Sequence, residues 1–498
     1  MNRPWTNLRT KETYVPGEKI HNGDVPDVAP GPRRHVVTSR VEGIVASETA
    51  PSPLAGGWQG RPPGLPSAVP PPSVPLSFLA AASLGLVGCG VALIWFRSVG
   101  IVNPTDDRVV AAAHLAMLAT LSMGILGAVH QFTPVITQRP LRSVRLSRAT
   151  FLSWLAGSWL LPLGFATKQE FVVQTGGMFA GVAVALLVVN IFSALSVRDK
   201  GAPVTGLRFA VGGFVVTACY GVVYVIDRRG NWFDLNGHVV LAHAVVGLFA
   251  WLGLTYVSVA EKLWPMFLLA HVPGRHRSSW LAVWAIPCGV LLLSPGLLLG
   301  VVWLAWCGAA LVSIGLGAHL YSLGLHIRHR RRKADLHLLF VVTAAAWLVV
   351  GAGLALAAQL TLGHHHHLGI ALTAASIAAI SGWLLVALVG HAHKVVPFIL
   401  WSALRGRGIK EKADGTQLVF ADLFDHRWSA IVYGLVTTGV GAVCLGFAAS
   451  ISVAIAVGGA LFIATGLSVA ANLSLTTLRL PSGSTVEQSV VEDAPTAA

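Results

Sequence analysis

The sequence has few charged residues, few cysteines and no motif of a soluble enzyme. Only 11% of its 498 residues are Asp, Glu, Lys or Arg, whereas 54% are hydrophobic. Soluble domains carry roughly 25% charged residues, so this composition predicts an integral membrane protein. The five cysteines form no CxxC pair, which argues against a disulfide framework and against a thiolate zinc site. There is no Gly-rich phosphate loop after a strand and no nucleophile elbow.

Long apolar runs are the main feature that the sequence does have. A helix that spans a membrane needs roughly 20 apolar residues. Twelve runs meet this requirement. The seventh and eighth runs are nearly continuous, with an expected break at Ser294-Pro295-Gly296, and the eleventh and twelfth join through Ala449-Ser450. The predicted spans are 75–95, 109–133, 150–166, 171–196, 209–226, 238–260, 279–298, 301–325, 337–360, 368–390, 428–448 and 451–474.

The basic residues between the spans predict the orientation of the chain. With both termini in the cytoplasm, 30 of the 35 Lys and Arg residues fall on the inner side. The positive-inside rule therefore predicts a bacterial-type plasma-membrane protein with cytoplasmic termini, and no nucleic-acid partner is needed to explain its basic charge. Residues 1–74 are predicted to be a disordered Pro-rich tail, 75–475 the membrane domain, and 476–498 a C-terminal tail.

Spans 2, 6 and 10 end in similar motifs, which suggests an internal repeat. Each closes with polar residues followed by a proline, at Pro134, Pro265 and Pro397. These prolines are 131 and 132 residues apart, so the spacing predicts three pseudo-repeated units of four helices. The alternative is that proline and lysine simply mark the ends of membrane helices.

The same three spans carry histidines near their outer ends. Imidazole is the usual axial ligand of haem and a common ligand of copper, and a histidine inside a span needs a functional or structural reason. The outer candidates are His114 on span 2, His238 and His243 on span 6, and His364, His365, His366 and His367 at the mouth of span 10. Other interpretations are a helix–helix hydrogen bond for His114, an interfacial position for His238, and a surface metal trap or solvated loop for the four-histidine run.

A second set of polar residues lies at the inner ends of spans 2, 6 and 10. Its members are His130, Glu261, His391 and His393. We expect His130 and His393 to be interfacial caps more than ligands. The remaining inner histidines flank the basic loop of residues 328–333 and are expected at the inner surface; they are His319, His326, His329 and His337.

The twelve spans, the three units and the outer histidines resemble subunit I of the haem-copper oxidase superfamily over about residues 75–475. The best local match runs from His114 through a glycine-containing helix to His130 and Pro134. The resemblance implies that His114 and one histidine of the run 364–367 ligate a haem iron. It also implies that His243, with His238, lies near a second haem or a copper ion.

Departures from the family indicate a divergent member, similar to the NnrS-type haem-copper membrane proteins. Span 7 contains no histidine, and the positions four residues after His238 and His243 are Ala242 and Gly247 instead of tyrosine. The spans also lack the family's proton-channel carboxylates. His367 lies 30 residues before Pro397, which corresponds to about 45 Å of helix. The hydrocarbon core is only about 30 Å thick, so the histidine run is expected in the outer loop, above the depth of a haem ligand.

The resemblance implies a haem-binding redox membrane protein that is not a proton pump. Its expected activity is electron transfer, or binding and reduction of a small diatomic such as nitric oxide or oxygen, with haem and copper as cofactors. A cytochrome or a copper protein is the expected redox partner. The alternatives are a non-enzymatic metal-handling protein, a twelve-helix transporter, and an anchor subunit for a redox partner.

Overall fold

A computed structural model describes twelve helices that are long and apolar enough to cross a membrane. The described residues are 69–102, 106–198, 201–232, 235, 237–273, 277–406, 408–412, 415–423 and 425–478. The prediction of a multi-span, all-helical membrane domain is confirmed. The two tails predicted at 1–74 and 476–498 lie almost entirely outside the described residues.

The twelve helices follow the predicted spans closely, although several are longer than the apolar run that identified them. They are α1 (Ser73–Val102), α2 (Asp107–Thr137), α3 (Val144–Thr167), α4 (Glu170–Leu195), α5 (Gly201–Gly230), α6 (Gly237–Leu268), α7 (Arg277–Leu298), α8 (Val302–Arg328), α9 (Leu336–Leu362), α10 (His366–Gly406), α11 (His426–Ala448) and α12 (Ser452–Leu478). A single short 3₁₀ turn, Phe420–Leu423, is described between α10 and α11.

The predicted break at Ser294-Pro295-Gly296 is wrong. Helix α7 continues through Pro295 to Leu298, and the chain turns at Gly300. Gly300 adopts φ 66°, a conformation that side chains disfavour, and the backbone amide of Val301 donates to the carbonyl of Gly296. A proline therefore does not end this helix, because the left-handed residue that reverses the chain comes five positions later.

Three hairpins, α3–α4, α7–α8 and α11–α12, reverse direction in the same way. Each turn has one left-handed residue, and the residue after it donates its amide to the carbonyl of a glycine near the end of the first helix. The left-handed residues are Lys168, Gly300 and Ser450, and the glycines are Gly164, Gly296 and Gly446.

The same glycines let the paired helices approach closely. A Cβ added at these glycines would lie only 2.5 to 2.8 Å from a backbone nitrogen of the second helix. The facing residues are Val173, Ala305 and Ile455. Because real Cβ atoms do not approach so near, each hairpin requires a glycine at this position.

Helices α2, α6 and α10 are the most buried of the twelve. Between 56% and 61% of their apolar windows is buried, against 17–50% for the other helices. The indole nitrogen of Trp251 on α6 donates to the Ser122 hydroxyl on α2 over 3.1 Å. Trp383 on α10 packs against Gly253 on α6. These contacts bring together the three helices that carry the predicted site residues.

Helices α2 and α6 also contain matching π-helical segments. The segments are Leu115–Ser122 and Val246–Gly253, which lie 131 residues apart. The first begins directly after His114 and the second begins three residues after His243. Segments with this wider turn are rare and often occur at functional sites.

Candidate functional site

His114 on α2 presents one ring nitrogen as a free ligand atom. Its Nδ1 lies 2.8 Å from the carbonyl oxygen of Val110, and its ring packs against Phe165 of α3. A carbonyl oxygen can only accept a hydrogen bond, so Nδ1 carries the proton. A neutral imidazole in this tautomer has its lone pair on Nε2, which is the form that binds a metal.

His243 on α6 lies at nearly the same depth as His114, because it is 22 residues before Pro265 and His114 is 20 residues before Pro134. The His243 ring packs against Tyr220 and Tyr224 of α5, and its Nδ1 is buried without a hydrogen-bond partner. The fold thus places two of the residues predicted from the sequence as ligands at similar depth on two of the central helices.

The packing around this outer pair is looser than in the rest of the central helices. Residues 114–118 of α2 and 243–245 of α6 are half-buried, whereas most residues further inward on both helices are buried. The outer ends of α2 and α6 are therefore less buried than the rest of these two helices.

An ion-pair network fixes the helix ends beside His114. The Arg228 guanidinium on α5 lies 2.9 Å from Asp107 of α2 and 2.7 Å from Glu170 of α4. The same guanidinium lies 5.4 Å from the centre of the Phe165 ring, the ring that packs on His114. Arg228 thereby ties α2, α4 and α5 together around the ring that supports His114.

The other outer histidines lie away from this pair. His238 is exposed, and its Nδ1 lies 2.9 Å from the carbonyl oxygen of Leu297. The residues of the run His364, His365, His366 and His367 are all exposed. His114 lies 20 residues before Pro134, and the residue 20 before Pro397 is Ile377; His367 is ten residues beyond it, about 15 Å further out along α10. The structure therefore gives no support for pairing His114 with this run.

His130 and His393 occupy matching positions at the inner ends of α2 and α10. Each is buried, and each has Nδ1 2.7 Å from the carbonyl oxygen four residues earlier. His130 stacks on Phe78 of α1, and His393 stacks on Phe340 of α9. In both residues Nε2 is buried without a partner. Both rings are packed inside the protein, and the expectation that they act as interfacial caps or partners stays a prediction.

Glu261 takes the corresponding place on α6. Its Oε2 accepts hydrogen bonds from the hydroxyls of Ser279 on α7, at 2.5 Å, and Ser322 on α8, at 3.1 Å. Its Oε1 is buried and has no partner. The serines explain how a carboxylic side chain is retained at this position, since a buried polar group needs hydrogen bonds.

Sequence reasoning missed a cluster of aromatic and imidazole rings between α6, α8, α9 and α10. Tyr256 lies at its centre, with the rings of His319, Trp383 and His391 packed edgewise around it at 5.5–5.7 Å. His337 packs on His391 at 4.8 Å.

The predicted location of the remaining inner histidines is mostly wrong. Of the four expected at the inner surface, His319, His326 and His337 are buried, and only His329 is partly exposed. His319 and His326 lie seven residues apart, so they share one face of α8, and this spacing was the signal that could have found them. Their closeness to a basic loop suggested a surface position instead.

Among the residues that the structure describes, no three His, Cys, Asp or Glu side chains converge closely enough to hold a metal ion. No protein-family model matches the chain, and no curated protein is significantly similar to it. A functional proposal therefore depends on the arrangement of the side chains.

That arrangement suits a group that brings its own ligands. A haem needs only one or two ligands from the protein, whereas a bare zinc or copper ion held by two side chains must complete its coordination with water or small ligands. The outer pair offers two imidazoles, one of which has its tautomer fixed by the backbone. The donor set at His114 and His243 thus fits haem better than a bare ion.

Proposed function

We propose that this protein is a haem-binding redox protein of the membrane, as its resemblance to subunit I of the haem-copper oxidases implies. The observation that carries the proposal is the ring of His114, whose Nδ1 is held 2.8 Å from the Val110 carbonyl oxygen so that its Nε2 keeps the lone pair. A second histidine, His243, lies at nearly the same depth on α6, and both helices contain matching π-helical segments.

In this proposal His114 and His243 would hold the haem iron. His114 is held by the Val110 carbonyl and the Phe165 ring, so little freedom is lost when its Nε2 binds a metal. His243 has a buried ring nitrogen that needs a partner. His238 and the run 364–367 are left outside the ligand set because they are exposed.

A bound haem would supply the redox chemistry, either electron transfer or binding and reduction of nitric oxide or oxygen. The chain supplies the ligands and an apolar surrounding that excludes water. The second cofactor implied by the resemblance, copper at a three-histidine centre, does not fit, because the described residues contain no cluster of three ligands. We therefore propose an oxidoreductase or electron carrier without that centre and without proton pumping.

The proposed architecture consists of three four-helix units, α1–α4, α5–α8 and α9–α12. The hairpin glycines Gly164, Gly296 and Gly446 support it, because they share one role at the same place in each unit. The π-helical segments support it for the first two units. The distribution of Lys and Arg supports cytoplasmic termini and a plasma-membrane location. The outer pair would then face the side from which a cytochrome or a copper protein delivers electrons.

Visible spectroscopy on the detergent-purified protein tests the haem proposal. We expect near-stoichiometric haem in a pyridine haemochrome assay and a reduced-minus-oxidised difference spectrum in the wild type. His114→Ala should lose most of the haem, and His243→Ala should lose it or change its ligation. His238→Ala is the matched control, because His238 is on the same helix as His243 but is exposed.

Two results would contradict the proposal. An unchanged spectrum in His114→Ala would remove the main ligand. A haem-free wild type from haem-sufficient cells would remove haem altogether, and metal-dependent uptake in vesicles would then favour the metal-handling or transport alternative. Replacing all four residues 364–367 with glutamine should leave the spectrum unchanged. Loss of haem in that variant would instead indicate that His114 pairs with a histidine of the run 364–367.

A further inference from the structure

The inner halves of α9 and α10 contain a histidine pair that the haem proposal does not use. The pair is His337 and His391, with 5% and 9% of their surfaces exposed. Their ring centres lie 4.8 Å apart, and the ring planes are nearly perpendicular at 82°. We propose that these two imidazoles bind a transition-metal ion, with copper as the preferred metal.

The pair has three ring nitrogens for which the protein provides no partner. Both nitrogens of His337 and Nε2 of His391 are buried and make no hydrogen bond. Nδ1 of His391 lies 2.7 Å from the Ala387 carbonyl oxygen, so Nδ1 carries the proton and Nε2 the lone pair. Buried polar atoms without partners are costly, and here they belong to two helices whose imidazole rings are in contact.

The spacing of the rings fits two ligands side by side on one ion. A metal–nitrogen bond of about 2.0 Å places each imidazole centre roughly 3.2 Å from the metal. Two ligands at about 90–110° then have centres roughly 4.5–5.2 Å apart, whereas ligands on opposite sides would be about 6.4 Å apart. The observed 4.8 Å matches the first arrangement. The pair is thus unsuited to grip a haem from both faces but suited to chelate an ion.

The charges around the pair are positive on balance, which limits the affinity expected for a metal cation. Lys394 and Arg332 act on His337 electrostatically. Asp335 lies 2.6 Å from the Lys394 ammonium and 3.9 Å from the Arg332 guanidinium, so one carboxylate offsets part of their positive charge. Lys394 also lies over the ring of Phe267, which packs edgewise on His337.

The ligand chemistry selects the class of metal. Imidazole ligands suit copper, zinc, nickel and iron, and copper(II) binds most tightly of the divalent first-row ions. No third His, Cys, Asp or Glu converges on the pair in the described part of the chain. Water or a small exogenous ligand would complete the coordination, so we expect an open site of moderate affinity. This proposal does not rest on the binding of haem.

Copper titration of the full-length protein in detergent tests the site. The exposed run 364–367 would also bind copper, so the experiment uses a background in which those four residues are glutamine. After chelator treatment, copper(II) is added and bound metal is measured together with its electron paramagnetic resonance spectrum. We expect one bound copper per chain, with hyperfine splitting from two nitrogens.

Matched variants assign the signal to the pair. His337→Gln and His391→Gln should each lower the copper affinity at least tenfold and leave splitting from at most one nitrogen. His393→Gln is the control, because His393 is also buried on α10, has the same backbone hydrogen bond and stacks on Phe340 instead of a histidine. Elution as a single monodisperse species shows that each variant is folded.

Three results would overturn the proposal. Absence of bound copper in the background protein after chelation and titration would show that the pair does not bind the metal. Copper binding that survives in both His337→Gln and His391→Gln would place the site elsewhere. An equal loss in His393→Gln would show a general effect of altering α10.

Discussion

The close approach of paired helices at Gly296 gives a stability prediction that the structure makes quantitative. A Cβ at Gly296 would lie 2.5 Å from the backbone nitrogen of Ala305, and ordinary contact begins near 3.4 Å. Gly296→Ala must therefore move α7 and α8 apart by about 0.9 Å, and overpacking of this kind costs about 1–3 kcal/mol. Gly434→Ala on α11 is the control, because nothing lies within 4 Å of its added Cβ.

The comparison of these variants isolates the overpacking. Both substitutions gain the same helix propensity, up to about 1 kcal/mol, so the difference in their stability is the packing cost alone. In thermal unfolding of the detergent-purified protein we expect Gly296→Ala to melt about 1–6 °C below Gly434→Ala. Gly164→Ala and Gly446→Ala should behave like Gly296→Ala if the three hairpins are equivalent. Equal melting temperatures for Gly296→Ala and Gly434→Ala would refute the reasoning.

Two further predictions concern the outer ends of the helices. Arg228→Gln removes the ion pairs to Asp107 and Glu170. Because Arg228 is 25% exposed, we expect the stability in thermal unfolding to fall by about 1–2 kcal/mol, and by less at high salt. An unchanged stability would contradict the network. The Arg108 guanidinium holds the pKa of Asp106 below its ordinary value of 3.8. The stabilisation from Asp106 is therefore fully present above about pH 4 and is lost as the pH falls through the lowered pKa. The gap in melting temperature between wild type and Asp106→Ala should be constant from pH 5 to 8 and shrink below pH 4, and a gap that widens there would contradict this sign.

The histidines show why a site is harder to predict than a span. From the sequence, the run 364–367 and His114 were assigned to one haem because both lie toward outer helix ends. Counted from the closing prolines, the run lies about 15 Å further out along α10 than His114 lies along α2, whereas His243 on α6 lies at nearly the depth of His114. Depth along a helix can be counted from a closing proline, but the neighbour that a ring meets depends on helix rotation and packing.

The sequence by itself determined the class of the protein, the number of helices and, nearly, where each begins and ends. It could do so because a stretch of apolar residues long enough to span a membrane is a local property of the chain. The same holds for the closing motifs of α2, α6 and α10, whose even spacing is visible without any contact.

Only the tertiary structure decided which polar groups are buried and which meet. His337 follows a basic loop closely and reads as a surface residue, yet it lies against His391. Glu261 reads as a helix-end residue, yet two serines from other helices satisfy one of its oxygens. These outcomes depend on side chains more than 15 residues away in sequence, which are brought together only when the helices pack, and no local pattern encodes them.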